Sequence, residues 1–149
     1  MGAVSRTSAG LLLFRRLPGL EVLLAHPGGP LHARKDVWGV PKGEYDRAEQ
    51  PLAAAYREYA EEIGHAPPAG DPLELGEVVQ KGGKRVVAWA LEGDLDPATV
   101  SSNLFRMQWQ GRWREFPEID RAAWFDLETA RTKILPAQAP FLDRLTAQL

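Results

Sequence analysis

The stretch GEYDRAEQPLAAAYREYAEEIGH, from Gly43 to His65, decides how this chain is read. At about 100° of rotation per residue, Glu58, Glu61 and Glu62 stand at i, i+3 and i+4 and share one stripe of a helix beside Arg57. Leu52, Ala55, Tyr56, Tyr59 and Ile63 recur at helical spacing on another stripe, the pattern of a helix docked on a core. Pro51 suits the first turn of that helix, and Gly64 its end. Each pair of neighbouring like charges costs about a few tenths of a kcal/mol, so a cation is expected to offset them. Taken alone, E-x-x-E-E also describes a solvated helix face.

The spacing of the whole segment is more specific. It fits G-x5-E-x7-R-E-U-x-E-E-x-G-U, with U a bulky apolar residue, and every fixed position is filled: Gly43, Glu49, Arg57, Glu58, Glu61, Glu62 and Gly64. Tyr59 takes the first U. His65 stands where an aliphatic residue is usual, which bears on packing after the helix. The pattern resembles the Nudix box, and the chain resembles the Nudix hydrolases. That resemblance implies an α/β fold, an α/β/α sandwich with a mixed β-sheet and the box as a loop, helix and loop. It implies Glu58, Glu61 and Glu62 as ligands of Mg²⁺ or Mn²⁺, with the backbone carbonyl of Lys42 or Gly43 as a further ligand. One of the three acids would position or deprotonate water. Arg57 and Glu49 are expected to form the ion pair that ties loop to helix, a geometry a bidentate guanidinium holds well.

The chemistry agrees with the residues. Breaking a diphosphate bond brings water onto a phosphorus crowded by anionic oxygens, so charge has to be neutralised and the water held in line. Carboxylate oxygens are hard ligands that suit Mg²⁺ or Mn²⁺.

Outside the box the likeness is looser. Glu118 lies six positions before Trp124, and PAQAP at 136–140 is similar to the P-A-N-x-P stretch of MutT-type nucleoside triphosphate pyrophosphohydrolases. This implies Glu118 as a further metal partner or base and Gln138 as a reader of the nucleobase. The plainer alternatives are a loop acid and a glutamine at a helix start. Trp38, Pro41, Lys42 and Gly43 make W-x-x-P-K-G, which is similar to the diadenosine polyphosphate hydrolases, although Glu44 replaces the histidine often found next in them. Lys42 is therefore a candidate for the phosphate chain, as is Lys81, with Lys84 and Arg85 beside it; a basic hairpin is also an ordinary soluble edge. Of five tryptophans, Trp38, Trp89 and Trp124 are expected in the core, whereas Trp109 and Trp113 flank a loop and are the better stacking candidates.

The expected activity is metal-dependent cleavage of a diphosphate bond in a nucleoside diphosphate linked to another group, leaning to dinucleoside polyphosphates such as diadenosine tetraphosphate. Nucleoside triphosphates are the alternative. A non-catalytic nucleotide-binding module is the competing class, but it has no reason to keep mutually repelling acids.

Composition sets the remaining bounds. The 149 residues, 44% apolar, suit one domain over 1–149 with an adequate core. Eighteen basic and twenty acidic residues give a net charge of −2, so no global field draws in nucleic acid polymers or membranes, and the partner is expected to be a small nucleotide. The absence of cysteine removes disulfides, thiol catalysis and thiolate-bound zinc. Residues 1–10 lack the pattern of a signal peptide and 11–14 are too short to span a membrane, so a cytoplasmic protein is expected.

Strands are expected at 8–15 and 21–25 around Pro18-Gly19, a loop at 26–30 (HPGGP), and a short edge strand at 38–41. Further strands are expected at 75–80 and 84–92 around Gly82-Gly83, and at 104–109 and 122–126, with 110–120 as a polar and aromatic connection. Helices are expected at 127–133 and 137–149.

Overall fold

The computed structural model describes residues 6–16 and 18–149; most of the leading segment read above, 1–5, and Leu17 beside the first turn lie outside them. The elements are β1 (Thr7–Arg16), β2 (Leu20–Pro27), β3 (Lys42–Glu44), α1 (Pro51–Ile63), β4 (Leu73–Val79), β5 (Arg85–Glu92), β6 (Leu104–Trp109), β7 (Arg112–Pro117), β8 (Ile119–Asp126), α2 (Leu127–Lys133) and α3 (Ala139–Gln148).

The run SAGLLLF in β1 is buried throughout, because β1 is the central strand of a mixed sheet ordered β4-β5-β1-β2-β8. It runs parallel to β5, Thr7 to Phe14 against Arg85 to Glu92, and antiparallel to β2. Alternate side chains serve opposite faces. Leu11, Leu13, Leu23 and Leu91 pack against Tyr59 and Ile63 of α1. Leu12, Phe14, Val22 and Leu24 meet Phe141, Leu142 and Leu145 of α3 and Ala130 of α2. The result is a helix layer on each side of the sheet, the expected α/β/α sandwich. No helix among the described residues is long and apolar enough to cross a membrane.

One edge of β1 is divided, and the division places the site. β2 pairs only with Phe14 to Arg16 of β1, while β3 pairs with Ser8 to Gly10 on the same edge. Between them 38–41 enters as a wedge: Ala25 and Gly39 exchange backbone hydrogen bonds of 2.8 and 2.9 Å, and Leu11 N–H donates to the Pro41 carbonyl at 3.2 Å. The edge strand expected at 38–41 is therefore corrected to isolated bridges, with the strand itself at Lys42–Glu44. Pro41 has no N–H to extend a ladder.

The stretch 110–120 is not a connection. Gln110 and Gly111 both have positive φ, 52° and 76°, the signature of a two-residue hairpin turn whose twist suits the strands it joins. They join β6 to β7 in a two-stranded sheet apart from the main one. RWRE in β7 is exposed on both faces, so it carries no alternation for a sequence reading to detect.

Candidate active site

Helix α1 carries the acids to the divided edge. The Gly64 N–H closes the helix on the Ala60 carbonyl with φ 83°, and a Cβ there would meet the Ser101 carbonyl oxygen at 2.4 Å. His65, the departure from the pattern, turns its Nε2 to the Thr99 carbonyl at 3.1 Å.

The three carboxylates of α1 do not share one environment. Glu61 is exposed, Glu58 is largely buried, and Glu62 is only 6% exposed. Arg57 supplies the offsetting cation. Its Nε and an Nη donate to both oxygens of Glu49 at 2.7 and 2.8 Å, while the other Nη reaches Glu58 at 2.7 Å and Glu61 at 3.2 Å. The Glu49 carboxylate, hydrogen-bonded to Arg57, is held below its ordinary pKa.

Glu58 and Glu62 face β3. At Gly43 a Cβ would stand 2.0 Å from the Glu58 carboxylate, so only glycine leaves that carboxylate its place against the backbone. The Lys42 N–H donates to Glu62 at 3.0 Å. Burial, reinforced by the charge of Glu58, pushes the Glu62 carboxyl up to about 8. Burial also raises Glu58 and Glu118, and it lowers Lys42 against the opposing pull of Glu62. Glu118 adds its own repulsion at Glu62 and feels Lys42, so Lys42, Glu58, Glu62 and Glu118 form one electrostatic group drawn from β3, α1 and the β7–β8 junction. Glu118 is fixed through its backbone: its N–H donates to the Asn103 carbonyl at 2.9 Å, and its carbonyl accepts from Gly28 N–H at 2.9 Å.

The other candidates are scattered. Lys81 is exposed in the β4–β5 turn; of its neighbours, Lys84 is close enough to act on Lys42, while Arg85 is paired with Glu77 at 2.6 Å. Gln138 is 1% exposed, and both ends of its amide serve the fold: Oε1 accepts from Val40 N–H at 2.9 Å and Nε2 donates to Gln80 at 2.9 Å. It holds the wedge that delivers Lys42. In HPGGP, a Cβ on Gly28 would strike the Pro117 carbonyl at 2.0 Å and one on Gly29 the Phe105 ring at 2.8 Å, so both glycines serve packing beside Glu118. His26 in the same stretch is fully buried, with Nδ1 2.8 Å from Asp120 and Nε2 2.6 Å from the Lys35 carbonyl. The pairing of Gln138 with Gln80 and the His26 anchor join residues too far apart in the chain for spacing to reveal.

Among the described residues, no group of three or more His, Cys, Asp or Glu is arranged to hold a metal ion as it stands. Arg57 holds Glu58 and Glu61, while the Lys42 N–H holds Glu62. The donor set nevertheless fits a hard divalent cation in kind: carboxylate oxygens that repel one another, one of them lodged in a cradle that a Cβ would fill.

Comparison with known proteins places this geometry. A model of the NUDIX domain matches residues 4–145. An RNA pyrophosphohydrolase of Rhodospirillum rubrum is 28% identical, with 95% of this chain and 90% of that protein covered. Among solved structures, a binary complex of the C. elegans Ap4A hydrolase superposes with a TM-score of 0.70 at 24% identity, over 95% of this chain and 96% of that one. The NUDIX domain of Shewanella oneidensis NrtR, complexed with ADP ribose, gives 0.71 at 15% identity, over 99% and 90%. At these identities the two structures speak for the fold.

Proposed function

Since this chain belongs to the NUDIX domain family and is a Nudix pyrophosphohydrolase, we propose that it acts on a nucleoside diphosphate linked to another group, with dinucleoside polyphosphates such as diadenosine tetraphosphate as the preferred class. The observation that carries this reading is the group Lys42, Glu58, Glu62 and Glu118: acids set for a cation, beside a lysine set for a phosphate chain.

The family generally uses divalent metal ions. Here Mg²⁺ or Mn²⁺ would be held by Glu58, Glu61 and Glu62 with the Gly43 carbonyl, and when bound it supplies neutralisation of the phosphate oxygens. At neutral pH a Glu62 carboxyl lifted to about 8 holds a proton until a cation takes its place. Glu118, with its pKa raised, is the proton acceptor for the attacking water, since a base nearer the working pH removes a proton more effectively. Arg57 and Glu49 fix the loop that carries β3. Lys42 binds the phosphate chain, with the Lys81–Lys84 turn as an outer contact. Gln138 keeps Val40 in place, so its part in the site is indirect. The lack of cysteine fits a cytoplasmic setting.

The Rhodospirillum relative favours a second reading, the polyphosphorylated 5′ end of an RNA. A panel of diadenosine tetraphosphate, 5′-triphosphorylated RNA and nucleoside triphosphates, run with Mg²⁺ and with Mn²⁺ and resolved by chromatography, decides between them. The highest kcat/KM on diadenosine tetraphosphate supports the reading. Preference for a nucleoside triphosphate overturns the substrate class, and no cleavage of any member overturns the activity.

A further inference from the structure

The chemistry above leaves unused a fully buried imidazole, that of His26. Both ring nitrogens face acceptors: Nε2 donates to the Lys35 carbonyl at 2.6 Å, since a carbonyl can only accept, and Nδ1 stands 2.8 Å from the Asp120 carboxylate. The ring also meets Trp38 edge-on, with centroids 5.2 Å apart. His26 therefore ties together the loop at 28–37, the wedge that delivers Lys42, and strand β8. The tie to β8 falls at a bulge. His26 pairs with Arg121 and Pro27 with Ile119, so Asp120 is an extra residue with no partner across the ladder. Such a residue bends its strand and re-aims the side chains beside it.

Glu118 lies two residues before Asp120. Its backbone is pinned on one side to Asn103 and on the other to Gly28, each at 2.9 Å, and the path of the chain from there into β8 runs through the bulge. A base has to stand within hydrogen-bond reach of its water, and a misplacement of about 1 Å costs on the order of a hundredfold in rate. Burying an imidazole costs free energy that its hydrogen bonds only recover, so filling the core gives no reason for one here. We propose that His26 and Asp120 are positioning residues of the reaction: the hydrogen bond between them sets the bulge of β8 and thereby holds Glu118 toward Lys42 and Glu62. His26 is fully buried, so it acts through Asp120 and not on the substrate. The proposal rests on the reading of Glu118 as proton acceptor.

The test uses the full chain and replaces Asp120, which is part-exposed, since loss of the buried His26 ring would open the core. Asp120→Ala removes the bond to the ring, whereas Asp120→Asn can still make it from the same place. For both, kcat and KM are measured under Mg²⁺ on the substrate preferred in the panel above, in the parent and in the Glu118→Gln background. Asp120→Ala is expected to lower kcat about tenfold with KM held, and to lower it no further once Glu118→Gln is in place. Asp120→Asn restores most of the loss. A merely structural pair would leave the two losses to multiply. That outcome overturns the proposal, as does a parent rate in Asp120→Ala or an Asp120→Asn enzyme as slow as Asp120→Ala. Should Glu118→Gln run at the parent rate, or the parent cleave nothing, the reading of Glu118 fails by itself, and amide hydrogen exchange in metal-free protein decides the positioning. Exchange about tenfold faster at Glu118 and Gly28 in Asp120→Ala, with the central strand β1 unchanged, supports it, and parent-like exchange at both overturns it.

Discussion

The Nudix box and the β6–β7 hairpin touch at Glu61 and Asn103, yet they are built on opposite terms. In the box nearly every polar group is spoken for: Arg57 binds three acids, Lys42 N–H binds Glu62, and Gly43 makes room for Glu58. In the hairpin, arginines and an indole stand in solvent with few partners. The difference teaches where constraint lies. Box residues are fixed by one another as much as by substrate, so replacing one disturbs the rest. Exposed hairpin residues such as Trp113 carry little of the core, and replacing one should leave the fold alone.

Several substitutions sharpen or break that contrast. The largest effect belongs to Glu58→Gln and Glu62→Gln, which are expected to lower turnover by orders of magnitude with the far-ultraviolet spectrum unchanged, since each removes a placed acid and no core volume. Parent-like turnover in either would take that residue out of the chemistry. Arg57→Ala should lose activity and also about 1 kcal/mol of stability in urea unfolding, a modest figure because the pair is part-exposed. Full stability with no turnover would instead place Arg57 on the substrate.

Gly43→Ala sets a methyl where the Glu58 carboxylate lies. The carboxylate end is flexible and can swing away, so activity should fall further than the melting temperature; an active variant would show that Glu58 need not sit there.

Protonation gives the next contrast. A carboxyl raised from 4.5 to about 8 binds its proton more tightly folded than unfolded, so between those values the unfolded chain holds fewer protons and stability falls as pH rises. Melting of metal-free protein across that window should show this decline, Glu62→Gln should flatten it, and Mg²⁺ should raise the parent's melting temperature by binding the native state. The smallest effect is Trp113→Ala, expected within about 0.5 kcal/mol of the parent in urea unfolding, as for other exposed positions.

The same contrast explains what the sequence made legible. The box could be read because helix geometry and the needs of a cation dictate its spacing, and Arg57 meets Glu58 and Glu61, its neighbours on that helix, in the fold. Their orientation could not be read: Glu61 turns to Arg57 and Glu62 goes inside, because the partners come from β3 and from Arg57 rather than from the stripe. Strand β7 escaped because an unpacked ribbon needs no apolar alternation. The contacts of Gln138 could not be read, because its partners, Val40 and Gln80, lie 98 and 58 residues away in the chain.

The most direct test is the initial rate of diadenosine tetraphosphate hydrolysis by the parent and by Glu62→Gln, each with Mg²⁺ and with the ion chelated. The account predicts a rate that needs both Mg²⁺ and Glu62, lost by orders of magnitude without either. Hydrolysis that survives chelation, or a Glu62→Gln enzyme running at the parent rate, would contradict it.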